Sequence, residues 1–277
     1  MRIAIIGHGF VGKAVDYGFS NPAVTKKILD PKYGHDGIDQ QQLVDWKPHL
    51  TFVCVPTPMA EDGDIDTTIL DSVMENLKEL TSMIVIKSTI TPSTIDKYNQ
   101  VNVLYNPEFL TEKSACEQFV NPEFHIIGGL QAQAEKLEYY YENFSLCSPC
   151  PVYKMNKAEA SFVKYAINSF LSTKVTFFNQ LYDACNDYGN VNFNKIIKAV
   201  GADDRVSISH TKVPGYDGKQ GYGGACFPKD TLAFSKFSDK LTLLAKAIEI
   251  NNNYRSQYDR DEREKEQNIQ FNHVQND

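Results

Sequence analysis

The sequence predicts an α/β protein with a doubly wound, mostly parallel sheet, followed by an all-α domain with one long helix. Short apolar runs alternate with amphipathic segments from the first residues to Met155, a pattern typical of strands joined by crossover helices. The stretch Lys157–Tyr188 then contains neither Pro nor Gly and shows no strand pattern. This change of pattern predicts two domains, over residues 1–155 and 156–277.

Length, composition and charge are those of an ordinary globular protein. The 277 residues are 42% hydrophobic and 23% charged, with a net charge of −7 and no basic run, which argues against nucleic acid as a partner. Six cysteines in a chain of this length do not form a disulfide framework. The sequence has no signal pattern and no apolar run near the roughly 20 residues of a membrane span. We therefore expect a cytoplasmic protein that does not bind membranes.

A glycine-rich turn follows the first predicted strand, Arg2–Ile6. The segment Gly7–Gly12 has the Gly-x-Gly-x-x-Gly spacing of Rossmann-like turns that hold a dinucleotide pyrophosphate at a helix N-terminus. The second predicted strand, Thr25–Leu29, ends at Asp30, close to the ~20-residue spacing of a ribose ligand. An acid there repels a 2′-phosphate, so we expect NAD rather than NADP, although Lys32 counts against this preference. The alternative is a glycine-rich turn in another kind of α/β protein.

The rest of the sheet is predicted from short apolar runs, and the helices from amphipathic runs between them. The predicted strands are Leu50–Val55, Met83–Lys87, Val101–Tyr105, Phe124–Ile127 and Val152–Met155. The predicted helices are Thr67–Leu80, Pro92–Asn99 and Ala132–Phe144. Ligands collect at the carboxyl ends of parallel strands, where we expect Pro56, Thr57 and Thr89.

The segment Asn106–Glu112 follows one of these strands. Asn106 as a helix cap and Pro107 in the first turn would simply start a helix. The functional interpretation places Glu108 and Glu112, four positions apart, on one face of that helical turn at the ligand edge. The sequence leaves these two interpretations open.

The predicted helix Lys157–Tyr188 needs a cover. It would be roughly 45–50 Å long at ~1.5 Å per residue, and a helix so long and apolar must pack against another chain or domain. Lys164 and Asn168 lie four apart among apolar neighbours, so they place a polar strip in that face unless both are simply exposed. Beyond it we predict helices over Phe193–Val200 and from Thr231 to about Tyr254, then a solvated, frayed tail over Arg255–Asp277.

The turn Gly221–Asp230 carries the strongest chemical signal. Its glycines permit positive φ, and Cys226 follows them just before Pro228, which suits the first turn of a helix. A helix N-terminus and the nearby Lys229 both lower a thiol pKa from about 8.5 and favour the nucleophilic thiolate. Asp230 either caps the helix or positions a water. The alternative is a glycine-rich turn with a buried structural cysteine.

No metal site is predicted. The pair Cys147 and Cys150 lacks the second pair that zinc normally needs, so we assign it to a loop. The six histidines show no metal-ligand spacing. The cysteines expected to be structural are Cys54, Cys116 and Cys185.

Taken together, these stretches resemble the UDP-glucose/GDP-mannose dehydrogenases, a family of nucleotide-sugar 6-dehydrogenases. They keep the family's order along nearly the whole chain, and the cysteine motif is highly specific. The matching stretches are Gly7–Gly12 with Phe10 and Val11, Phe52–Pro58, Lys87–Thr89, Asn106–Glu112, the helix with Lys164 and Asn168, and Gly221–Asp230. The resemblance implies a four-electron, NAD-dependent oxidation of a sugar C6 alcohol to a carboxylate. UDP-glucose is the default donor, with GDP-mannose and UDP-N-acetylmannosamine as alternatives.

The resemblance also implies roles for individual residues. Cys226 would attack the aldehyde formed by the first hydride transfer, and Lys164, with Asn168 beside it, would stabilise the oxyanion at C6. Asp230 and Thr89 would hold or activate water, and Glu112 would serve in acid–base work. The implied cofactor-binding residues are Gly7, Gly9, Phe10, Val11, Gly12, Asp30, Lys32, Pro56, Thr57, Thr89 and Lys229. The implied substrate-binding residues are Glu108, Phe109, Leu110, Lys164, Asn168, Arg205, Gly221 and Gly223.

Two statements about assembly follow from the resemblance. It implies a homodimer built around helix 157–188, with Arg205 reaching into the partner's site. Family members also carry a third, C-terminal α/β domain that covers the nucleotide, whereas this sequence stops just after the central helices. The contacts of that domain would have to come from the loop 206–220, a partner subunit or another protein. The alternative function is therefore an NAD-binding dimerisation module that is weak or inactive without a partner for the missing domain.

Overall fold

The computed structural model describes residues 1–32 and 40–271. The chain divides into two compact units, Met1–Thr57 with Asp66–Lys164, and Pro58–Ile65 with Tyr165–Asp277. This division falls between Lys164 and Tyr165, inside the long helix, whereas the predicted domain boundary lies after residue 155. His35, His273 and the last residues of the predicted tail lie outside the described residues.

The first unit is built on a seven-stranded sheet. Its strands are β1 (Arg2–Ile6), β2 (Thr25–Leu29), β3 (Leu50–Val53), β4 (Met83–Ile86), β5 (Val103–Tyr105), β6 (His125–Gly128) and β7 (Val152–Met155). Their order is β2-β1-β3-β4-β5-β6-β7, and all neighbours are parallel except β5 and β6. The predicted doubly wound, mostly parallel sheet is confirmed. The order reverses between β1 and β3, the kind of position at which such sheets bind ligands.

The helices of the first unit alternate with these strands. They are α1 (Phe10–Gly18), α2 (Gln40–Trp46), α3 (Thr68–Asn76), α4 (Pro92–Ile95), α5 (Ala115–Val120) and α6 (Gln131–Phe144). Strands β3 and β4 are buried along their whole length, as expected for apolar runs covered on both faces. Phe19, the residue that follows α1, packs against Phe52 of β3 and Tyr141 of α6, with ring centroids 5.3 and 5.5 Å away.

The long helix α7 (Lys157–Tyr188) has the predicted bounds and runs from the first unit into the second. Its side chains Phe162, Phe170 and Phe177 are exposed, with 44%, 66% and 59% of their surface accessible. Spacings of seven and eight residues place them on one face of the helix. Among the helices in the described residues, none is long and apolar enough to cross a membrane.

The second unit is helical after α7. It contains α8 (Phe193–Val200), α9 (Phe227–Phe237), α10 (Thr242–Arg255) and α11 (Glu262–Glu266). Phe178 of α7 packs in its core with Phe193, Ile197 and Val213. The early segment Pro58–Ile65 also belongs to this unit.

The single helix predicted from Thr231 to about Tyr254 is wrong in two respects. Helix α9 starts earlier, at Phe227, and ends at Phe237. Ser238 is extended, with φ −150° and ψ 126°, and its Oγ accepts a hydrogen bond from the backbone N–H of Lys240. A serine that bonds nearby backbone in this way competes with helix continuation, and α10 starts again at Thr242.

The helix predicted over Asn106–Glu112 is also absent from the structure. Residues 106–111 have no regular structure, and Glu112–Ser114 is a single 3₁₀ turn that precedes α5. The Asn106 side chain does not cap a helix but bonds residues distant in sequence. Its Nδ2 donates to the Ile126 carbonyl, and its Oδ1 accepts from Lys87. Glu108 is buried and Glu112 is exposed, so the two carboxylates do not share a helical face.

The predicted solvated tail after Arg255 is wrong as well. Arg255 and Glu264 are both buried, with 1% and 0% of their surface accessible. The short helix α11 is started by a capping box, in which Asp261 and Glu264 each bond the other's backbone N–H. Arg255 and Glu264 therefore pair inside the unit, whereas Glu262 and Lys265 of the same segment pair at its surface.

Candidate functional site

The glycine turn between β1 and α1 fits a dinucleotide pyrophosphate. Gly7 has φ +87°, and a Cβ there would lie 2.7 Å from the Cys54 carbonyl. A Cβ at Gly12 would lie 1.9 Å from the Gly7 oxygen, so this glycine allows helix and turn to pack. A Cβ at Gly9, in contrast, would meet nothing within 4 Å. Gly9 therefore presents open backbone at the N-terminus of α1, where a phosphate can approach.

Asp30 follows β2 and joins it to this turn. It is buried, and its two carboxylate oxygens accept the backbone N–H groups of His8 and Lys32. Each carboxylate oxygen can accept more than one donor, as a ribose ligand must. Phe10 and Val11, in the first turn of α1, are half-buried, and the Lys32 side chain is exposed.

The ends of β3 and β4 are bonded to each other. Thr57 Oγ1 donates to the Thr89 carbonyl at 2.8 Å, and Ser88 Oγ donates to the Val55 carbonyl at 2.6 Å. Thr57 and Thr89 are buried, whereas Pro56 is exposed. The two threonines predicted for the cofactor site thus lie together, with the Thr57 hydroxyl committed to holding the loops.

Glu108 and Lys164 form a buried pair within the first unit. Lys164 Nζ donates to the Glu108 backbone carbonyl and lies 3.4 Å from Oε1, with side-chain exposures of only 3% and 7%. The ammonium also lies 5.1 Å from the Phe109 ring centroid, and Glu108 Oε2 accepts the Leu110 N–H at 2.6 Å. The interpretation of Lys164 as a simply exposed helix residue is therefore wrong. Glu112, the second predicted carboxylate of this segment, is exposed outside the pair.

The first unit also contains a buried polar network that the sequence did not predict. Lys87 Nζ donates to the carbonyl and to Oδ1 of Asn106, both at 2.9 Å, and Tyr141 Oη donates to the same Oδ1 at 2.8 Å. Burial lowers the pKa of Lys87 to about 8. The His125 ring stacks on Tyr141 at 4.4 Å, and burial followed by the charge of Lys87 lowers the pKa of His125 to about 4. No local sequence signal joins these residues, which come from separate strands and a helix.

In the second unit, Cys226 is the N-cap residue of α9. Pro228 lies in the first turn, as predicted, and the thiol-bearing residue sits at the positive end of an eleven-residue helix. Asp230 is not the cap, because it lies inside the helix and its backbone N–H donates to the Cys226 carbonyl. The cysteine is partly exposed, as are the other five, so its place at the helix end rather than its exposure distinguishes it.

Asp230 is the centre of a buried polar cluster one turn from Cys226. It is completely buried, and its carboxylate accepts Lys229 Nζ at 2.6 Å and Asn168 Nδ2 at 2.7 Å. Asn168 is itself 5% exposed, so it does not lie on the solvent side of α7. The structure thus unites three predicted site residues around one negative charge.

The glycine turn before Cys226 is held by side chains bonded to its backbone. The N–H of Gly221 donates to Asn179, and Tyr222 exchanges two hydrogen bonds with the Asn251 side chain. The N–H of Gly224 donates to Glu264 Oε1 at 3.0 Å. Sequence reasoning missed all three supporting residues. Only Glu264 had a readable signal, the Asp-x-x-Glu pattern of a capping box at 261–264.

Arg205 stands apart from these clusters. Its side chain is 89% exposed, and it pairs with Asp203 two residues earlier, with Nη2 and Oδ2 2.6 Å apart. Within the described residues, no group of three or more His, Cys, Asp or Glu side chains is arranged to hold a metal ion.

Comparison with known proteins finds two matching domains in this chain. Residues 45–145 match the UDP-glucose/GDP-mannose dehydrogenase family, NAD binding domain, and residues 158–253 match the central domain of the same family. The chain belongs to the UDP-glucose/GDP-mannose dehydrogenase family. The family's NAD-binding domain is accordingly present in this chain, in agreement with the cofactor expected from Gly7–Gly12 and Asp30.

Relatives and solved structures support the same assignment. The chain is 33% identical to a UDP-glucose 6-dehydrogenase of Pseudomonas aeruginosa over 73% of its length, and 28% identical to one of Haloferax volcanii over 84%. It spans only 48% and 64% of those two relatives. The solved UDP-glucose dehydrogenase of Pyrobaculum islandicum is 26% identical with a TM-score of 0.77, covering 91% of this chain and 68% of that one.

Proposed function

We propose that the protein is an NAD-dependent nucleotide-sugar 6-dehydrogenase that oxidises UDP-glucose to UDP-glucuronate. The observation that carries the proposal is a partly exposed cysteine at the N-cap of α9, one turn before the buried Asp230 cluster. A cysteine that only packs in a core would gain nothing from a position at a helix N-terminus or from a carboxylate one turn away. We assign dinucleotide binding to residues 1–155 and the cysteine chemistry to residues 156–277.

The reaction proceeds in two oxidations at the sugar C6. Two NAD molecules, bound one after the other, would each accept one hydride. In the first oxidation the C6 alcohol loses a hydride and a proton and becomes an aldehyde. The Cys226 thiolate then adds to the aldehyde carbon, forming a C–S bond and an oxyanion that is protonated to a thiohemiacetal. Loss of a second hydride and a proton gives a thioester, and water cleaves the C–S bond to release the carboxylate and restore the thiol.

The charged groups have distinct tasks in this scheme. Lys164 stabilises the developing oxyanion at C6, a role suited to an ammonium that burial has stripped of most water. Asp230 holds the hydrolytic water, with Thr89 as a second water-holding group, and Asn168 fixes the Asp230 carboxylate through its 2.7 Å hydrogen bond. Glu112 is assigned to proton transfer; because its side chain is exposed, it would have to approach the substrate after binding.

The remaining predicted residues bind rather than react. Asp30 accepts the adenosine ribose hydroxyls and disfavours a 2′-phosphate, so NAD is preferred over NADP. Open backbone at Gly9 receives the pyrophosphate. We propose that the sugar nucleotide contacts Glu108, Phe109, Leu110, Gly221 and Gly223, and that Lys229 lies at the cofactor side.

We also propose a homodimer that buries the exposed aromatic face of α7. The exposed Arg205, held by Asp203, then reaches the partner's substrate. None of the six cysteines, all of which lie in described residues, forms a disulfide. That state suits a protein that works in the reducing cytoplasm.

A panel of nucleotide sugars tests this function. Purified protein with NAD is offered UDP-glucose, GDP-mannose and UDP-N-acetylmannosamine, and NADH formation is followed together with the acid product. We expect two NADH per UDP-glucuronate. Cys226→Ser is expected to keep NAD binding but lose acid formation, because a serine hydroxyl is far less nucleophilic than a thiolate. Wild-type acid output from this variant would eliminate the covalent mechanism.

A second candidate is an NAD-binding dimerisation module without turnover of its own. Under this alternative the protein binds NAD with ordinary affinity and oxidises no member of the panel. Oxidation of any member at rates that Cys226→Ser abolishes would exclude it.

A further inference from the structure

The last residue of α10 and a residue of α11 are buried charged residues that the family match does not include. The central-domain match ends at residue 253, whereas the pair Arg255 and Glu264 lies just beyond it. Their side chains are 1% and 0% exposed, and Arg255 Nη2 donates to Glu264 Oε1 at 2.7 Å. Charges are rarely buried this fully unless they are paired and hydrogen-bonded, so the pair has to be satisfied by its surroundings.

The surroundings hold Glu264 from several directions. Its Oε2 accepts the N–H of Asp261 in the capping box, at 2.9 Å. Arg255 is fixed in turn by Asp217, whose Oδ2 accepts Nη1 at 2.7 Å. The carboxylate of Glu264 is therefore locked in orientation by helix α11 on one side and by a guanidinium on the other.

The locked carboxylate bonds the turn that carries Cys226. Oε1 of Glu264 accepts the N–H of Gly224, two residues before the cysteine, at 3.0 Å. A Cβ at Gly223 would lie 2.3 Å from both Glu264 Oε1 and Arg255 Nη2. The ion pair thus packs directly on the backbone at Gly223, where a side chain would displace it. Gly224 has φ +81°, a conformation that favours glycine, although a Cβ there would meet nothing within 4 Å.

We propose that Glu264, oriented by Arg255, is a positioning residue that fixes the Cys226 thiol at the N-terminus of α9. The chemical consequence rests on the cysteine mechanism proposed above. If the Gly224 N–H loses its acceptor, the turn is free to shift, and a displacement of about 1 Å can cost as much as ~100-fold in rate. NAD binding lies on other residues and stays unchanged.

The test compares two glutamates of the same short helix. Glu264→Gln removes the buried charge and leaves one oxygen for the three donors Gly224, Arg255 and Asp261, whereas Glu262→Gln makes the same change at a side chain that is 85% exposed. Three quantities are measured on the full chain: the rate of iodoacetamide alkylation of Cys226 against pH, read by mass spectrometry of the Cys226 peptide; kcat with UDP-glucose; and the Kd for NAD.

For Glu264→Gln we expect alkylation at pH 7 and kcat each to fall about 10- to 100-fold, with the alkylation midpoint moved to higher pH and the Kd for NAD within about twofold. Glu262→Gln should match the wild type. Mere loss of a nearby negative charge would move the midpoint to lower pH. A lower or unchanged midpoint would therefore overturn the proposal, even if the melting temperature falls.

A second variant guards against misfolding of the first. Arg255→Lys keeps the positive charge but cannot reach Asp217 and Glu264 with two nitrogens at once, so it should slow Cys226 alkylation in the same direction. Wild-type alkylation in this folded variant would contradict the proposal. If the wild type oxidises no sugar, the proposed function fails, while the alkylation profiles still decide whether Glu264 positions the thiol.

Discussion

At the scale of single residues, Asp230 shows how the site combines charge with burial. A carboxylate taken out of water is costly unless it is paired, and Asp230 has both Lys229 and Asn168 within hydrogen-bond distance. The same contacts hold the carboxylate in one orientation. The group is therefore preorganised before any ligand arrives.

Replacing Asp230 with Asn should be strongly destabilising. The change leaves the Lys229 ammonium buried without its counter-charge, and breaking a buried pair in this way costs roughly 3–5 kcal/mol of unfolding free energy. Glu249→Gln, which breaks the partly exposed pair with Lys246, is the matched control and should cost less than about 1 kcal/mol. Urea unfolding of both variants gives the comparison; equal losses would show that the buried pair adds nothing.

His125 makes the first unit sensitive to acid. Its pKa is lowered to about 4 in the folded protein from an ordinary value of 6.5. The unfolded chain therefore binds more protons between these values, so stability is full above pH 6.5 and falls as pH drops towards 4. His125→Phe keeps a ring to stack on Tyr141 but cannot titrate.

We expect the wild type to lose up to roughly 3 kcal/mol more than His125→Phe when the pH is lowered from 7 to 4. Urea unfolding at several pH values measures the difference between the two proteins. If the unfolding free energies of the two proteins fall in parallel across this pH range, His125 is not the cause of the lost stability in acid.

At the scale of elements, two glycines of the turn Gly7–Gly12 have different tasks, one in packing and the other in ligand binding. Gly12→Ala should destabilise the protein, because the new Cβ would lie 1.9 Å from the Gly7 oxygen. Gly9→Ala should leave the melting temperature unchanged, since nothing lies within 4 Å and φ is −67°. It should still weaken NAD binding, by about tenfold or ~1.4 kcal/mol, because the methyl group occupies the phosphate approach. Unchanged NAD affinity in Gly9→Ala would place the pyrophosphate elsewhere.

The elements that sequence predicted well are those whose signal is local and repeated. Strands β1, β2 and β7 and helices α7 and α8 have the predicted bounds, since apolar periodicity covers their whole length. The segment Asn106–Glu112 failed because its capping residues look the same whether they bond their own helix or distant groups such as Lys87 and Ile126.

In the candidate site, too, the residues that could be picked out from sequence are those with a local signal. Cys226 and Asp230 stand in one compact motif, and Lys164 and Asn168 show as polar residues in an apolar helix. Their partners were harder. Asn179, Asn251 and Glu264 reach the cysteine turn only in the folded chain, over separations of 29 to 42 residues. The composition of the segment from Arg255 onward predicts a solvated tail, because composition does not show that Arg255 and Glu264 pair with each other.

At the scale of the whole molecule, the exposed face of α7 predicts association. Phe170→Asp combined with Phe177→Asp should turn a dimer into a monomer, because each charge would have to be buried at the interface. Leu243→Asp is the control, an apolar side chain that is 73% exposed on α10. Light scattering at micromolar concentration decides; a wild-type monomer would refute the dimer itself.

The small segment Pro58–Ile65 sets an order of events during synthesis. It belongs to the second unit, where a bridge joins Met59 to Ile65 and Asp62 pairs with Lys236, 174 positions later. At about 5–20 residues per second, the ribosome needs roughly 10–35 s to make that partner. The nascent chain must therefore carry this segment unattached while strands on both sides of it are already available, and the second unit cannot close before α9 has left the ribosome.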